Sequence, residues 1–244
     1  MEPSVNQIEE DKLTLFMEWL LANWLHVVLV VSFAFVVGTY TYKKRVEAVE
    51  KEEKAAEDLL GAMGLGYEVD TVDPKKPASE RLHQVAKDYP GTKAANNAVF
   101  LQASALYEEG RFTEAAAAFK AYLNLAGSRL LAAAAQFGLA ASEDAVGEKD
   151  KAERSYGVVI SRYGSSTEAM QARVALAKLI LAQPNPDTVK AKELLLAAAQ
   201  ESQSGGIPGF WGRESERMLA SLPVQAETKA GSTEGISEET KKEK

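Results

Sequence analysis

Hydrophobic and polar positions follow three rhythms along this chain. The first is an unbroken apolar run. From Trp19 to Tyr42 no charge interrupts WLLANWLHVVLVVSFAFVVGTYTY, a stretch of 24 residues. As a helix it is roughly 36 Å long, enough to cross a hydrocarbon core of about 30 Å. Trp19, Trp24, Tyr40 and Tyr42 lie toward its ends, where amphipathic rings settle at the headgroup level. A signal peptide needs a basic leader and a shorter apolar core. Here the preceding residues are acidic (Glu9, Glu10, Asp11), so the run reads as an uncleaved anchor. His26 lies near one end, where a neutral imidazole reaches the interface, and is not expected to relay protons.

The second rhythm is a thin stripe. Residues 43–63 read KKRVEAVEKEEKAAEDLLGAM, with Val46, Val49, Ala56, Leu60 and Met63 at helical spacing among lysines and glutamates. This predicts a charged helical stalk with a seam that allows self-association through 43–63 as a short coiled coil. Gly61, Gly64 and Gly66 end it, and Pro74 and Pro77 mark a loop.

The third rhythm fills residues 78–222. Apolar periodicity predicts helices over 78–89, 93–109, 112–125, 129–146, 149–163, 167–182, 187–202 and 209–221. Each ends on a breaker: Asp88-Tyr89-Pro90-Gly91, then Gly110, Gly127, Gly147, Gly164, and Gln183-Pro184-Asn185-Pro186. The organisation is therefore a short acidic segment (1–18), a transmembrane helix (19–42), a helical stalk and linker (43–77), a helical domain (78–222) and a tail (223–244). The tail has no aromatics and is rich in Glu, Lys, Ser, Thr and Gly, which predicts disorder.

Composition narrows the function. Hydrophobic residues make up 46%, much of it alanine, and β-branched runs are scarce outside 27–37, so the fold class is all-α. The net charge of −7 argues against nucleic acid as a partner. With no cysteine there are no disulfides and no thiolate metal sites. The two histidines, His26 and His83, form no metal-ligand spacing. His83, between Leu82 and Val85, reads as a surface or groove residue. No nucleophile elbow or P-loop is present, and Gly61, Gly64 and Gly66 follow a polar helix, not a strand. The expectation is a protein with no catalytic residues, no metal and no cofactor.

Self-similarity is the most informative feature. Residues 98–123, AVFLQASALYEEGRFTEAAAAFKAYL, align with 135–160, AQFGLAASEDAVGEKDKAERSYGVVI. Gly110 falls on Gly147, Ala115 on Ala152, Phe119 on Tyr156 and Ala103 on Ala140, a period of 37 residues. A third copy covers 172–199, with Ala177, Ala191 and Leu195 at the matching places and two extra residues around Pro184 and Pro186. A half-copy with Leu82 and Val85 precedes them. Small residues let paired helices approach, glycine permits the turn, and the large residue fills the gap between pairs.

This pattern resembles the tetratricopeptide repeat. The resemblance implies a tetratricopeptide (TPR)-type α-solenoid of about three helix pairs with a C-terminal cap helix at 209–221. The strings DYPGTKAANNAVF and ISRYGSSTEAMQ look like the variety found in bacterial envelope proteins. The whole layout is similar to the family of the ancillary subunit of the SecYEG translocon, a single-pass inner-membrane protein. That resemblance implies a membrane-anchored scaffold assisting protein translocation or chaperone hand-over, with its repeats in the periplasm. Partners would be translocon subunits or periplasmic chaperones. A structural assembly factor of a cell-envelope or division complex is the alternative. Lys43-Lys44-Arg45 points the other way, because the positive-inside rule places this flank in the cytoplasm. Transferring groove positions by register gives Asn97, Phe100, Ser104 and Tyr107, then Phe137, Ala141 and Asp144, then Gln171, Val174 and Lys178. Phe100 and Phe137 read equally well as core between repeats.

Overall fold

The computed structural model describes residues 5–65, 73, 75–125, 131–203 and 209–222. Among them are ten helices and no strand. They are α1 (Val5–Ala22), α2 (Trp24–Ala62), α3 (Ala78–Asp88), α4 (Lys93–Glu108), α5 (Phe112–Leu123), α6 (Ala132–Val146), α7 (Lys149–Arg162), α8 (Thr167–Leu181), α9 (Thr188–Gln203) and α10 (Phe210–Ser221). The protein is all-α. The tail expected at 223–244 lies outside the described residues, as do Gly66, Pro74 and Gly127.

The chain divides into two compact units, Met1–Glu148 and Lys149–Lys244. In the first, α2 packs on α3 and α4, α4 on α5, and α5 on α6. In the second, α8 packs on α7, α9 and α10, and α9 on α10.

Burial follows the 37-residue period. Ala98, Ala135 and Ala172 are fully buried, and so are Ala103, Ala140 and Ala177. Leu82, Phe119, Tyr156 and Leu195 form one buried series, and Val85, Tyr122, Val159 and Ala198 another. The step to the last member of each is 39, because of the residues around Pro184 and Pro186. Hydrogen bonds repeat too. Thr92 caps α4 by accepting from Ala95 N at 3.0 Å, and Ser166 caps α8 by accepting from Ala169 N at 3.2 Å. At the helix ends, Arg111 N donates to Leu106 O, and Glu148 N donates to Glu143 O. Gly110 (φ 76°) and Gly147 (φ 88°) take the left-handed conformation those ends need.

The end of the stalk segment packs on the helices that follow it. The backbone ladder runs straight through Asn23, whose N–H donates to Trp19 O and whose carbonyl accepts from Val27 N. The helix after it runs through the apolar segment and the charged stretch without a break, to Ala62. It is long and apolar enough to cross a membrane, with a mean hydropathy of 1.8 over its most apolar 18 residues, none of them buried. The stripe proposed as a seam, Val46, Val49, Ala56, Leu60 and Met63, is exposed. The buried face is Ala55, Asp58 and Ala62 instead, on the side that meets α3 and α4. Two alanines with no bulk beyond Cβ let the helix backbone come close; the larger valines and leucine would hold it away.

Three polar contacts lock this approach. Glu52 accepts from Lys93 N at 2.9 Å and Ala94 N at 3.0 Å, adding a carboxylate to the α4 N-terminus. Lys51 Nζ donates to Pro90 O at 2.9 Å. Tyr89 Oη donates to Asp58 Oδ2 at 2.6 Å. The phenol is pushed up to about 12, chiefly by burial and next by its bond to Asp58, with the charges of Asp58, Asp88 and Glu57 adding to it.

Candidate functional site

A hollow of about 190 Å³ opens in the first unit, lined by Ser104, Tyr107 and Glu108 of α4, Phe119 of α5, and Phe137, Gly138 and Ala141 of α6. Its floor is the Phe119 ring, itself buried. The position of Gly138 explains why a hollow exists. A Cβ built there would stand 2.6 Å from Phe119 Cε1 and Cε2, so only glycine lets α6 rest on the ring. One period earlier the equivalent pair is Leu82 and Leu101, which belong to one filled cluster. A large residue facing a glycine fills the interface near the backbone and leaves space beside it. At the earlier junction two leucines share that volume between the facing helices.

Two hairpin reversals make α4 and α6 run in the same direction, so both C-terminal ends lie at one edge. Tyr107 sits there, 36% exposed, its ring edge-on to Phe112 at 5.1 Å. Ser104 Oγ donates to Phe100 O at 3.2 Å, a bond within its own helix. Beyond the α4 end, Glu109 accepts from Ser79 N at 3.1 Å and Ser79 Oγ at 2.7 Å, capping α3. Burial works to raise the Glu109 carboxyl, but the Ser79 and Arg111 bonds outweigh it and hold it below the ordinary range. Arg111 also makes a forked pair with Glu114 at 2.8 and 2.6 Å, which lowers the Glu114 carboxyl and raises the guanidinium.

The structure brings together Ser104, Tyr107, Phe137 and Ala141 from the register-based set. Asp144 follows Ala141 by three residues on α6, half-buried; Asn97 is exposed on α4. Phe100 is not a free anchor. It packs against the core, with its ring 5.9 Å from Phe119 and 5.4 Å from Tyr122. Val174 is a clear correction, being only 1% exposed. Helix α8 is covered by α7, α9 and α10, so register alone did not reveal which of its faces stays open. Gln171 is half-buried, and Lys178 is exposed but bonded to Glu214 of α10 at 3.1 Å. That bond and one from Arg217 lower the Glu214 carboxyl. These three belong to the second unit. Phe210, at the start of α10, is 64% exposed with its ring edge-on to Trp211.

Sequence reasoning missed Glu108, Phe119 and Gly138 as lining residues. Gly138 carried a signal: a glycine in a helix interior costs about 1 kcal/mol against alanine, which marks a close approach.

The fold and hollow define an all-α helical-repeat protein with, among the described residues, one helix able by length and apolarity to cross a membrane. No protein-family model matches the chain, and no curated protein matches it.

Proposed function

We propose that this chain is a membrane-anchored tetratricopeptide-type scaffold that holds segments of other proteins. It would assist protein translocation or chaperone hand-over at the bacterial inner membrane, with its repeats on the periplasmic side. The observation that carries the binding role is the hollow over Phe119, rimmed by the half-exposed Tyr107. Its size suits one large side chain of an extended or helical segment. Its chemistry favours binding over catalysis, since Glu108 is the one charged lining residue and Ser104 bonds its own helix. The anchor supports the membrane role. The bacterial envelope and the translocon rest on the resemblance of the Tyr-Pro-Gly-Thr junction and the layout to that family.

The alternative, an assembly factor joined through its stalk, has less to stand on. Glu52, Ala55, Asp58 and Ala62 already face the same chain, which leaves only the opposite stripe of α2, weakly apolar and rich in charge around it, for a seam.

A photoreactive residue replacing Ala141 in the full-length chain, expressed in bacterial membranes, tests the reading. Adducts with translocon subunits or periplasmic chaperones are expected. Adducts with neither, or only with a second copy of this chain, would overturn it. A reporter active only in the periplasm, fused after Lys244, should be active; silence would place the repeats in the cytoplasm.

A further inference from the structure

We infer that the hollow selects a cationic partner segment: one large apolar side chain seated on Phe119, with lysine or arginine beside it. This deepens the binding role proposed above and rests on it. The inference comes from the charges around the hollow, taken element by element. On α4 the lining acid is Glu108, and the only base is Lys93, at the opposite end of the helix. On α6 there is no base at all, and Asp144 stands in its last turn, while the neighbouring Glu143 turns a carboxylate oxygen into the interior. On α5 Lys120 is the only base. Arg111, at the turn between α4 and α5, is held by Glu109 and Glu114. The rim at the C-terminal ends of α4 and α6 is therefore acidic.

Backbone adds to side chains here. Two helices running the same way both turn their carbonyl ends to this edge, and each end carries a partial negative charge. An acidic rim around an apolar floor with an aromatic wall is complementary to a segment that is basic outside and apolar at one anchor. A segment with acidic flanks meets like charge at the same edge, which costs affinity. The apolar anchor supplies the hold and the flanking cation the choice.

The test uses the full-length chain in lipid nanodiscs and fluorescent twelve-residue peptides followed by anisotropy. One peptide carries a central phenylalanine between lysines. A second carries the same phenylalanine between glutamates, and a third has lysines with alanine at the centre. The first should bind at least tenfold tighter than either other peptide at about 0.1 M salt. The preference for lysine flanks should shrink several-fold in the double variant Glu108→Gln/Asp144→Asn, and with added salt. Ala141→Phe, which places a ring in the hollow, should abolish binding of the first peptide. Ser104→Gln is a second blocking variant, and circular dichroism reports the fold of each. Equal binding of the lysine and glutamate peptides, with loss on blocking, overturns the charge selection and leaves the binding role standing. Binding that survives both blocking variants, or no binding by any peptide, overturns the hollow as the site and the binding role with it.

Discussion

The first unit contains the same junction twice, and the two copies are used differently. At α3–α4 the pair Leu82 and Leu101 fills the interface, and α2 lies over it, joined through Glu52, Asp58 and the buried alanines. At α5–α6 the pair is Phe119 and Gly138, and a hollow remains. The backbone skeleton is shared, as the matched buried alanines Ala98 and Ala135 show. What differs is how side-chain volume is divided between the facing helices. Divided evenly, it gives a sealed joint that grips the apolar helix. Divided as ring against glycine, it gives a place for something else.

The comparison breaks most severely if the sealed joint is hollowed. Leu101→Gly removes a partly buried side chain from the Leu82 cluster and adds a helix-interior glycine. Together these should cost about 3 kcal/mol, measured by urea denaturation of the detergent-solubilised chain. A loss under about 1 kcal/mol would mean the joint is not tightly filled.

The reverse change comes next. Gly138→Ala gains helix propensity but drives Cβ into a ring that Phe100 already borders. Overpacking of this kind costs about 1–3 kcal/mol, so the net effect should be destabilising by about 1–2 kcal/mol. Adding Phe119→Leu should recover part of that loss, because it recreates the volume division of the Leu82 joint. A double-mutant cycle with coupling near zero would refute the compensation argument.

These two joints also show what sequence could and could not reveal. The period, the glycine-ended helices and the alanine and aromatic positions were legible, because each residue type there answers a local steric demand. Gly110 and Gly147, Ala115 and Ala152, and Phe119 and Tyr156 take the roles their spacing implied. The docking face of α2 was not legible. Ala55 sits among lysines and glutamates and Ala62 between Gly61 and Met63, and a small buried stripe looks the same as a weakly apolar exposed one. Asp58 is buried beside Tyr89, thirty-one residues away, whose hydroxyl donates to it. Groove positions transferred well to α6, whose Phe137 and Ala141 line the hollow, and failed at Val174 of α8. Register gives a residue's direction, but tertiary packing decides whether anything covers it.

The grip on α2 can be loosened one bond at a time. Tyr89→Phe removes the hydroxyl that bonds Asp58 and leaves a buried carboxylate with one partner fewer. A bond to a charged group in a half-buried setting puts the loss at about 1 kcal/mol. Tyr163, two periods on in the second unit, makes the same backbone bonds at its junction: its N–H donates to Val159 O and its carbonyl accepts from Ser166 N. Tyr163→Phe should therefore change stability by only a few tenths. Glu52→Ala has a smaller effect, about 0.5 kcal/mol, because Thr92 still caps α4. Hydrogen exchange at Lys93 and Ala94 should quicken in that variant while the α8 start, capped by Ser166, stays unchanged. Equal quickening at both sites would remove the distinction between the junctions.

The finest test of the α2 joint is alkaline pH. The Tyr89 phenol is raised to about 12 in the folded protein, against an ordinary value of about 10. A raised value means the fold favours the protonated form, so this contribution to stability is complete below pH 10. It is lost progressively as pH rises from 10 toward 12, because the unfolded chain ionises first. Other tyrosines titrate in wild type and variant alike, so the informative quantity is the stability gap between wild type and Tyr89→Phe. That gap should hold steady from pH 8 to 9.5 and narrow above 10; a gap constant to pH 11 would count against a buried, bonded phenol. Asp58→Asn separates the two leading causes. It removes the charged acceptor but leaves the ring buried, and burial is the larger cause. Its gap to the double variant Asp58→Asn/Tyr89→Phe should still narrow with pH, by less than in the wild-type background, because the phenol then titrates closer to its ordinary value.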